Sequence, residues 1–303
     1  MTHATPLSSS PSWIAWTGME TDLIFNKGVD LPEFAAFPMV DTAEGRERLQ
    51  AYYEALIGIG RDTGVGVILD TPTWMANPDR ASAVGYGAED LPRVTRDAVA
   101  LVRGVADKHP DVSALISVQI GPQGDGYKPG MAAHDAAATY HRPQIQAAKD
   151  AGADVVSAYT LGASGEAIGI ASEAARIGIP ALISYTVETD GRLADGTALS
   201  EAVETLHAAA APAAIMVNCA HPDHLAEALD GGAWESKLTG FVANASRQSH
   251  AELDACETLD DGDPEELSQQ LAALKAGHSG LRILGGCCGT DLRHLRATAK
   301  RML

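Results

Sequence analysis

Short apolar segments rich in β-branched residues recur along the chain, each followed by a longer alanine-rich stretch of helical character. No other feature constrains the fold as much, because this alternation is the pattern of βαβ units, in which a strand feeds a crossover helix that packs back onto a parallel sheet. Candidate strands end near Trp16, Thr71, Ile120, Thr160, Thr186, Cys219, Asn244 and Cys287. Eight such units predict a closed (β/α)8 TIM barrel, and 303 residues lie within the range one such barrel fills. The predicted boundaries are a disordered tail over 1–12, rich in Thr, Ser and Pro, and a single barrel domain over 13–303. The tail has neither the basic nor the apolar region of a secretion signal, so a cytoplasmic location is expected.

Helix signals agree with this parsing. Ser164 is expected to cap a helix from Glu166 to Ile177, with Gly178 as its stop and Pro180 just beyond. Asp263-Pro264-Glu265-Glu266 reads as a cap, a first-turn proline and two acids suited to the positive helix end. Segments 92–108 and 136–151 carry apolar residues at three- and four-residue intervals, as the outer helices of a barrel require. The Gly/Pro-rich stretch from Gly121 to Gly130 follows the third strand and is either a binding loop or a turn.

Composition excludes several partners. A net charge of −18, spread over the chain as a solvated acidic surface, repels phosphate backbones and anionic lipid, so no nucleic-acid or membrane partner is expected. No run of about 18 apolar residues is present to span a bilayer.

Four cysteines are too few for a disulfide scaffold, but three of them fall at predicted C-terminal strand ends. Cys219 follows the segment Ala214 to Asn218, and Cys287 and Cys288 follow Leu281 to Gly286. In a barrel those ends converge on one face, so the three thiols can meet around one ion. Adjacent cysteines make a strained disulfide and no C-x2-C spacing is present, which leaves a three-thiolate site as the sharper reading. Zn2+ suits it: three sulfur ligands leave the fourth tetrahedral position open, and the electron-rich ion keeps a bound substrate thiolate nucleophilic. Gly285 and Gly286 are expected to let the backbone approach the metal, and Gly289 to permit an unusual φ. His221 and His224 follow Cys219 closely, but His221-Pro222-Asp223 reads as a loop entering a helix, with supporting donors as the alternative. Cys256, in an acid-rich segment, carries no such signal.

Val217-Asn218-Cys219-Ala220-His221-Pro222 and Gly285-Gly286-Cys287-Cys288-Gly289-Thr290 resemble the two zinc-binding signatures of the homocysteine S-methyltransferase family. The likeness runs through Gly18-Met19-Glu20-Thr21-Asp22-Leu23, Thr71-Pro72-Thr73-Trp74, Ile120-Gly121-Pro122, and Ser184-Tyr185-Thr186 with Asp195-Gly196-Thr197 after it. It implies a zinc-binding (β/α)8 catalytic domain that moves a methyl group to a zinc-bound thiolate, homocysteine to methionine being the leading case and methionine biosynthesis the setting. Sulfonium, quaternary ammonium and protonated methyl-folate donors all qualify, because each leaves without building negative charge in the site. A separate methyl-carrier protein is a conceivable partner, since no cobalamin or folate domain fits in this length. The departures concern the acceptor. Trp16-Thr17 stand where the family has Asp-Gly, and Tyr159-Thr160 stand where it has Glu-Thr. Glu20 is then the candidate to replace the lost charge, and Trp16, Trp74 and Tyr159 predict a more aromatic wall, with ordinary barrel packing as their alternative. The expected substrate-binding residues are Trp16, Glu20, Thr21, Thr73, Tyr159 and Asn218. The rival functions are a methyltransferase or demethylase of the same fold with another thiol, and a zinc- and thiol-binding protein without turnover.

Overall fold

The computed structural model describes Leu7, Ser10 and residues 12–128 and 133–302. Eight parallel strands close into one barrel in sequence order: β1 Trp13–Ile14, β2 Gly66–Asp70, β3 Ala114–Ile120, β4 Val155–Leu161, β5 Ala181–Tyr185, β6 Ala214–Asn218, β7 Leu238–Ala243 and β8 Ile283–Gly286. Every strand ends within a few residues of its predicted position. The principal outer helices are α1 Ala43–Thr63, α2 Leu91–Ala106, α3 His134–Asp150, α4 Ser164–Ile177, α5 Leu199–Ala210, α6 Pro222–Ala228, α7 Pro264–Gly277 and α8 Leu292–Arg301. No helix among the described residues is long and apolar enough to cross a membrane.

The seam of the barrel is short. β1 pairs with β2 and β8 through only Trp13 and Ile14, whose side chains are fully buried. Gly66 makes room for the Trp13 indole: a Cβ there would lie 2.4 Å from its ring. Below the seam, the Trp13 indole donates to the Leu7 carbonyl (3.1 Å), the Gly66 N–H meets the Ser10 hydroxyl (3.2 Å), and Arg282 donates to the carbonyls of both Leu7 and Ser10. Leu7, Ser10 and Ser12 are all buried, so these residues of the expected disordered tail pack across the N-terminal end of the barrel; 1–6, 8, 9 and 11 lie outside the described residues.

Capping follows the sequence in one place and departs from it in another. Asp263 Oδ1 accepts from the backbone N–H groups of Glu265 and Glu266, as expected. Removing that acceptor orphans two donors, so Asp263→Ala should lower stability by about 1 kcal/mol, read as a shifted urea midpoint. Ser164, by contrast, is not a cap. It already belongs to α4, and the non-helical position that a capping side chain must occupy is Ala163, which bears none. Gly178 closes the same helix with φ 82, the left-handed conformation for which glycine is suited.

The barrel interior is apolar along most of its length but polar on one side. Asp70 on β2, Ser117 on β3 and Ser157 on β4 are fully buried there, where branched aliphatic residues dominate ordinary barrels. β4 also shifts register against β5 between Ala158 and Leu161, and Thr160 within the shift has φ 65. This irregularity shapes the wall of the site.

Candidate active site

Cys219 follows β6 directly, and Cys287 and Cys288 follow β8, so strand geometry brings the three thiols together. Their Sγ atoms lie within 4.8 Å of one another, and those of Cys219 and Cys288 are 3.5 Å apart. Sulfur atoms sharing one tetrahedral zinc at about 2.3 Å would stand about 3.8 Å from each other. The donor set therefore fits zinc in both softness and spacing, and a fourth position would stay open. Hydrogen bonds from Cys287 and Cys288 hold the pKa of the Cys219 thiol well below its ordinary value, and those same bonds to Cys219, with its charge adding to them, raise the other two.

The backbone around the thiols is fixed tightly. Cys219 has φ 54, a left-handed conformation that costs a non-glycine residue roughly 1–2 kcal/mol. Both of its backbone groups are held: its N–H donates to Val242 O (3.0 Å) and its carbonyl meets His250 Nε2 at 2.7 Å. Asn218 stabilises the second left-handed residue, accepting from Thr160 N–H (2.8 Å) and donating to Thr160 Oγ1 (2.9 Å), with Nδ2 also 3.9 Å from Cys287 Sγ. Asn244 Nδ2 lies 3.7 Å from Cys219 Sγ. Gly289 adopts φ 77, as its sequence setting predicts. The close approaches at Gly285 and Gly286 serve other neighbours than the thiols: added Cβ atoms would meet Trp16 O at 3.0 Å and Thr290 Oγ1 at 2.1 Å.

The thiols border a cavity of about 550 Å³ whose other lining includes Trp16, Glu20, Trp74, Gln119, Tyr127 and Tyr159. A wider opening of about 1060 Å³ shares Phe34, Trp74, Tyr127, Cys219 and Cys288 with it and adds Phe25, Asp254 and Asp260. Of the residues expected to bind substrate, Trp16, Glu20, Thr21, Tyr159 and Asn218 line the inner cavity. Thr21 spends its hydroxyl on structure, donating to Gly18 O and accepting from Gly289 N–H. Thr73 does not reach the cavity. Its hydroxyl is fully buried between Thr71 Oγ1 and Gln119 O, both 2.7 Å away, because the chain turns inward after β2. His221 and His224 cap α6 and keep their ring nitrogens for its first turn and for Arg247 O. Cys256 is exposed, with its thiol against Gln248.

Groups distant in sequence complete the site. His250 links Cys219 O to Glu188 (3.0 Å) and stacks on Tyr127, with ring centroids 3.9 Å apart. Burial opposes its charge, but the Cys219 and Glu188 contacts outweigh burial and raise its pKa to about 9. Tyr127 lines the cavity beside the thiols, so the described part of the Gly/Pro-rich stretch after β3 belongs to the site wall, while 129 and 130 lie outside the described residues. Burial raises Glu20 to about 7, against the Trp16 indole that holds it down. Asp70 also rises to about 7 through burial, opposed by Ser117, Tyr159 and Ser157.

The family model described as homocysteine S-methyltransferase matches residues 17–302. The chain belongs to the homocysteine S-methyltransferase family. It is therefore an S-methyltransferase, an enzyme that transfers methyl groups to small-molecule thiols. No curated protein sequence matches it. Among solved structures, it is similar to the Escherichia coli homocysteine methyltransferase MmuM in its metallated form, at TM-score 0.76 and 22% identity, covering 98% of this chain and 100% of that one. The apo form of the same protein matches at TM-score 0.71 and 21% identity, covering 97% of each chain. At that identity, the MmuM structures speak for the fold alone. Trp16, Tyr159 and Glu20 all line the cavity beside the thiols.

Proposed function

We propose that this enzyme is a zinc-dependent S-methyltransferase that methylates homocysteine or a closely related aminothiol, with Cys219, Cys287 and Cys288 as the metal ligands. The observation carrying this reading is the cluster of three thiols at the floor of a cavity walled by aromatic rings and a carboxylate. Bound zinc would lower the pKa of the acceptor thiol and supply a nucleophile at neutral pH. The chain's own residues do the rest. Asn218 and Asn244 direct amide N–H groups toward Cys287 and Cys219 sulfur, which spreads the charge of the cluster. Trp16 and Tyr159 shape the acceptor pocket, and Tyr127 and Trp74 help exclude water. Holding both reactants in line contributes much of the acceleration. The acceptor sulfur forms its bond to the methyl carbon as the donor's bond to that carbon breaks, its electron pair remaining with the departing donor atom.

The exposed rings of Phe25 and Phe34 at the opening favour a cationic donor, sulfonium or quaternary ammonium, over an anionic methyl-folate. The test is single-turnover transfer by zinc-loaded protein offered S-methylmethionine and homocysteine. Formation of methionine is the expected result. If no methionine forms while other thiols are methylated, the acceptor is not homocysteine; if no thiol is methylated by any donor class, the reading fails.

A further inference from the structure

Asp70 closes β2 with its carboxylate fully buried. It faces Tyr53 on α1, Ser117 on β3, Ser157 and Tyr159 on β4, and Glu20 after β1, and none of these is a cation. The Tyr159 hydroxyl donates to Oδ2 at 3.0 Å, while Oδ1 makes no hydrogen bond among the described residues. Ionised Asp70 is thus a buried and half-satisfied anion, a form that gaining a proton relieves. Burial accordingly lifts the carboxyl to about 7, with the bonds from Ser117, Tyr159 and Ser157 opposing. Asp70 itself does not reach the inner cavity, but Tyr159 lines it together with the three thiols, near enough for the charge of Cys287 to bear on the phenol.

We propose that Asp70, reached through Tyr159, takes the proton that the acceptor thiol gives up on binding. The inference rests on the methyl-transfer reading, which requires a thiolate and leaves the destination of that proton open. The S–H bond breaks as its proton passes to the Tyr159 oxygen, directly or through one water, while the proton already on Tyr159 passes to Asp70 Oδ2. A thiolate, an intact phenol and a neutral carboxylic acid result, so atoms and charge balance. Burial holds the Tyr159 phenol well above its ordinary value, so it does not ionise alone and the two transfers occur together. Negative charge thereby leaves a place without a cation for a sulfur among the metal-binding thiols. Methylation then removes the thiolate charge, and Asp70 returns its proton through Tyr159 to solvent as the product departs. His250 cannot serve instead, because Cys219 O and Glu188 engage its two nitrogens. Glu20, the one other carboxylate on the inner wall, is the rival acceptor.

Calorimetry of homocysteine binding to zinc-loaded protein, repeated in buffers of different ionisation enthalpy and with no methyl donor, counts the protons released per thiol bound. At about pH 7.5 an ordinary thiol is still protonated, so binding without an internal acceptor releases about one proton. The unaltered protein should release less than about half of that. Its count should climb toward that of an acceptor-free protein as the pH falls below about 7, where Asp70 is protonated beforehand. Asp70→Asn, which cannot take the proton, and Tyr159→Phe, which cuts the path to it, should each release about one proton at either pH. Tyr159→Phe keeps the claim testable if Asp70→Asn fails to fold, and a purely structural role for either side chain would leave the proton count unmoved. Full release by the unaltered protein, or variants that count as it does, would overturn the relay. So would full release by Glu20→Gln alone, which would make Glu20 the acceptor. If neither homocysteine nor 2-sulfanylethanol binds the loaded protein, the methyl-transfer reading itself is overturned, and the relay with it.

Discussion

Cys287→Ser should lose bound zinc and methyl transfer together. Cys287 brings one of only three sulfur donors, and serine offers a harder, far less acidic oxygen in its place. Disturbing the outer support of a metal site already costs about 10–100-fold in affinity or activity, so removing a ligand should cost roughly 100-fold or more in both. Metal analysis after dialysis and a single-turnover assay read the two quantities, with circular dichroism to confirm an intact barrel. A variant that kept both metal and activity would sink the assignment of the thiols.

Gly18→Ala should have the next largest effect, although residue 18 touches no thiol. A Cβ there would lie 2.4 Å from Cys287 O and 2.9 Å from Thr290 O, and backbone atoms cannot swing aside as a side-chain tip can. The loop after β8 would have to retreat, carrying Cys287 with it. Overpacking of this kind costs roughly 1–3 kcal/mol. We expect zinc affinity to fall by about 10–100-fold, the range for displaced metal support. Gly104→Ala in α2 is the control: nothing lies within 4 Å of its added Cβ, and alanine favours a helix. A Gly18→Ala protein with normal zinc affinity would show that β1 does not position the thiols.

The barrel was legible in the sequence because strand ends there coincide with changes in hydrophobic pattern, and the thiols were legible because they sit at those ends. Side chains acting through partners distant in sequence were not. His221 and His224 drew attention by proximity to Cys219 along the chain, yet their rings serve the start of α6. The imidazole that meets Cys219 O belongs to His250, in a short helix that no pattern ties to β6. Thr73 resembled a wall residue through its motif, but the inward turn after β2 buries its hydroxyl against β3. Asp70 did leave a signal, an acid closing the otherwise apolar run Gly66-Val67-Ile68-Leu69, and a buried acid of this kind marks a functional candidate.

The closed ring also separates two kinds of inheritance. The thiols and the asparagines beside them come from β6, β7 and β8 or the loops after them, whereas Trp16, Glu20, Gln119 and Tyr159 come from β1, β3 and β4 or the loops after them. One arc of the ring thus carries the thiols, and the opposite arc carries the aromatic and acidic wall across the cavity from them. Substitutions of the Trp16, Gln119 or Tyr159 side chains should therefore change which thiol is accepted while bound zinc is kept, whereas Gly18 in the same arc, packed against Cys287 O, is not free to vary.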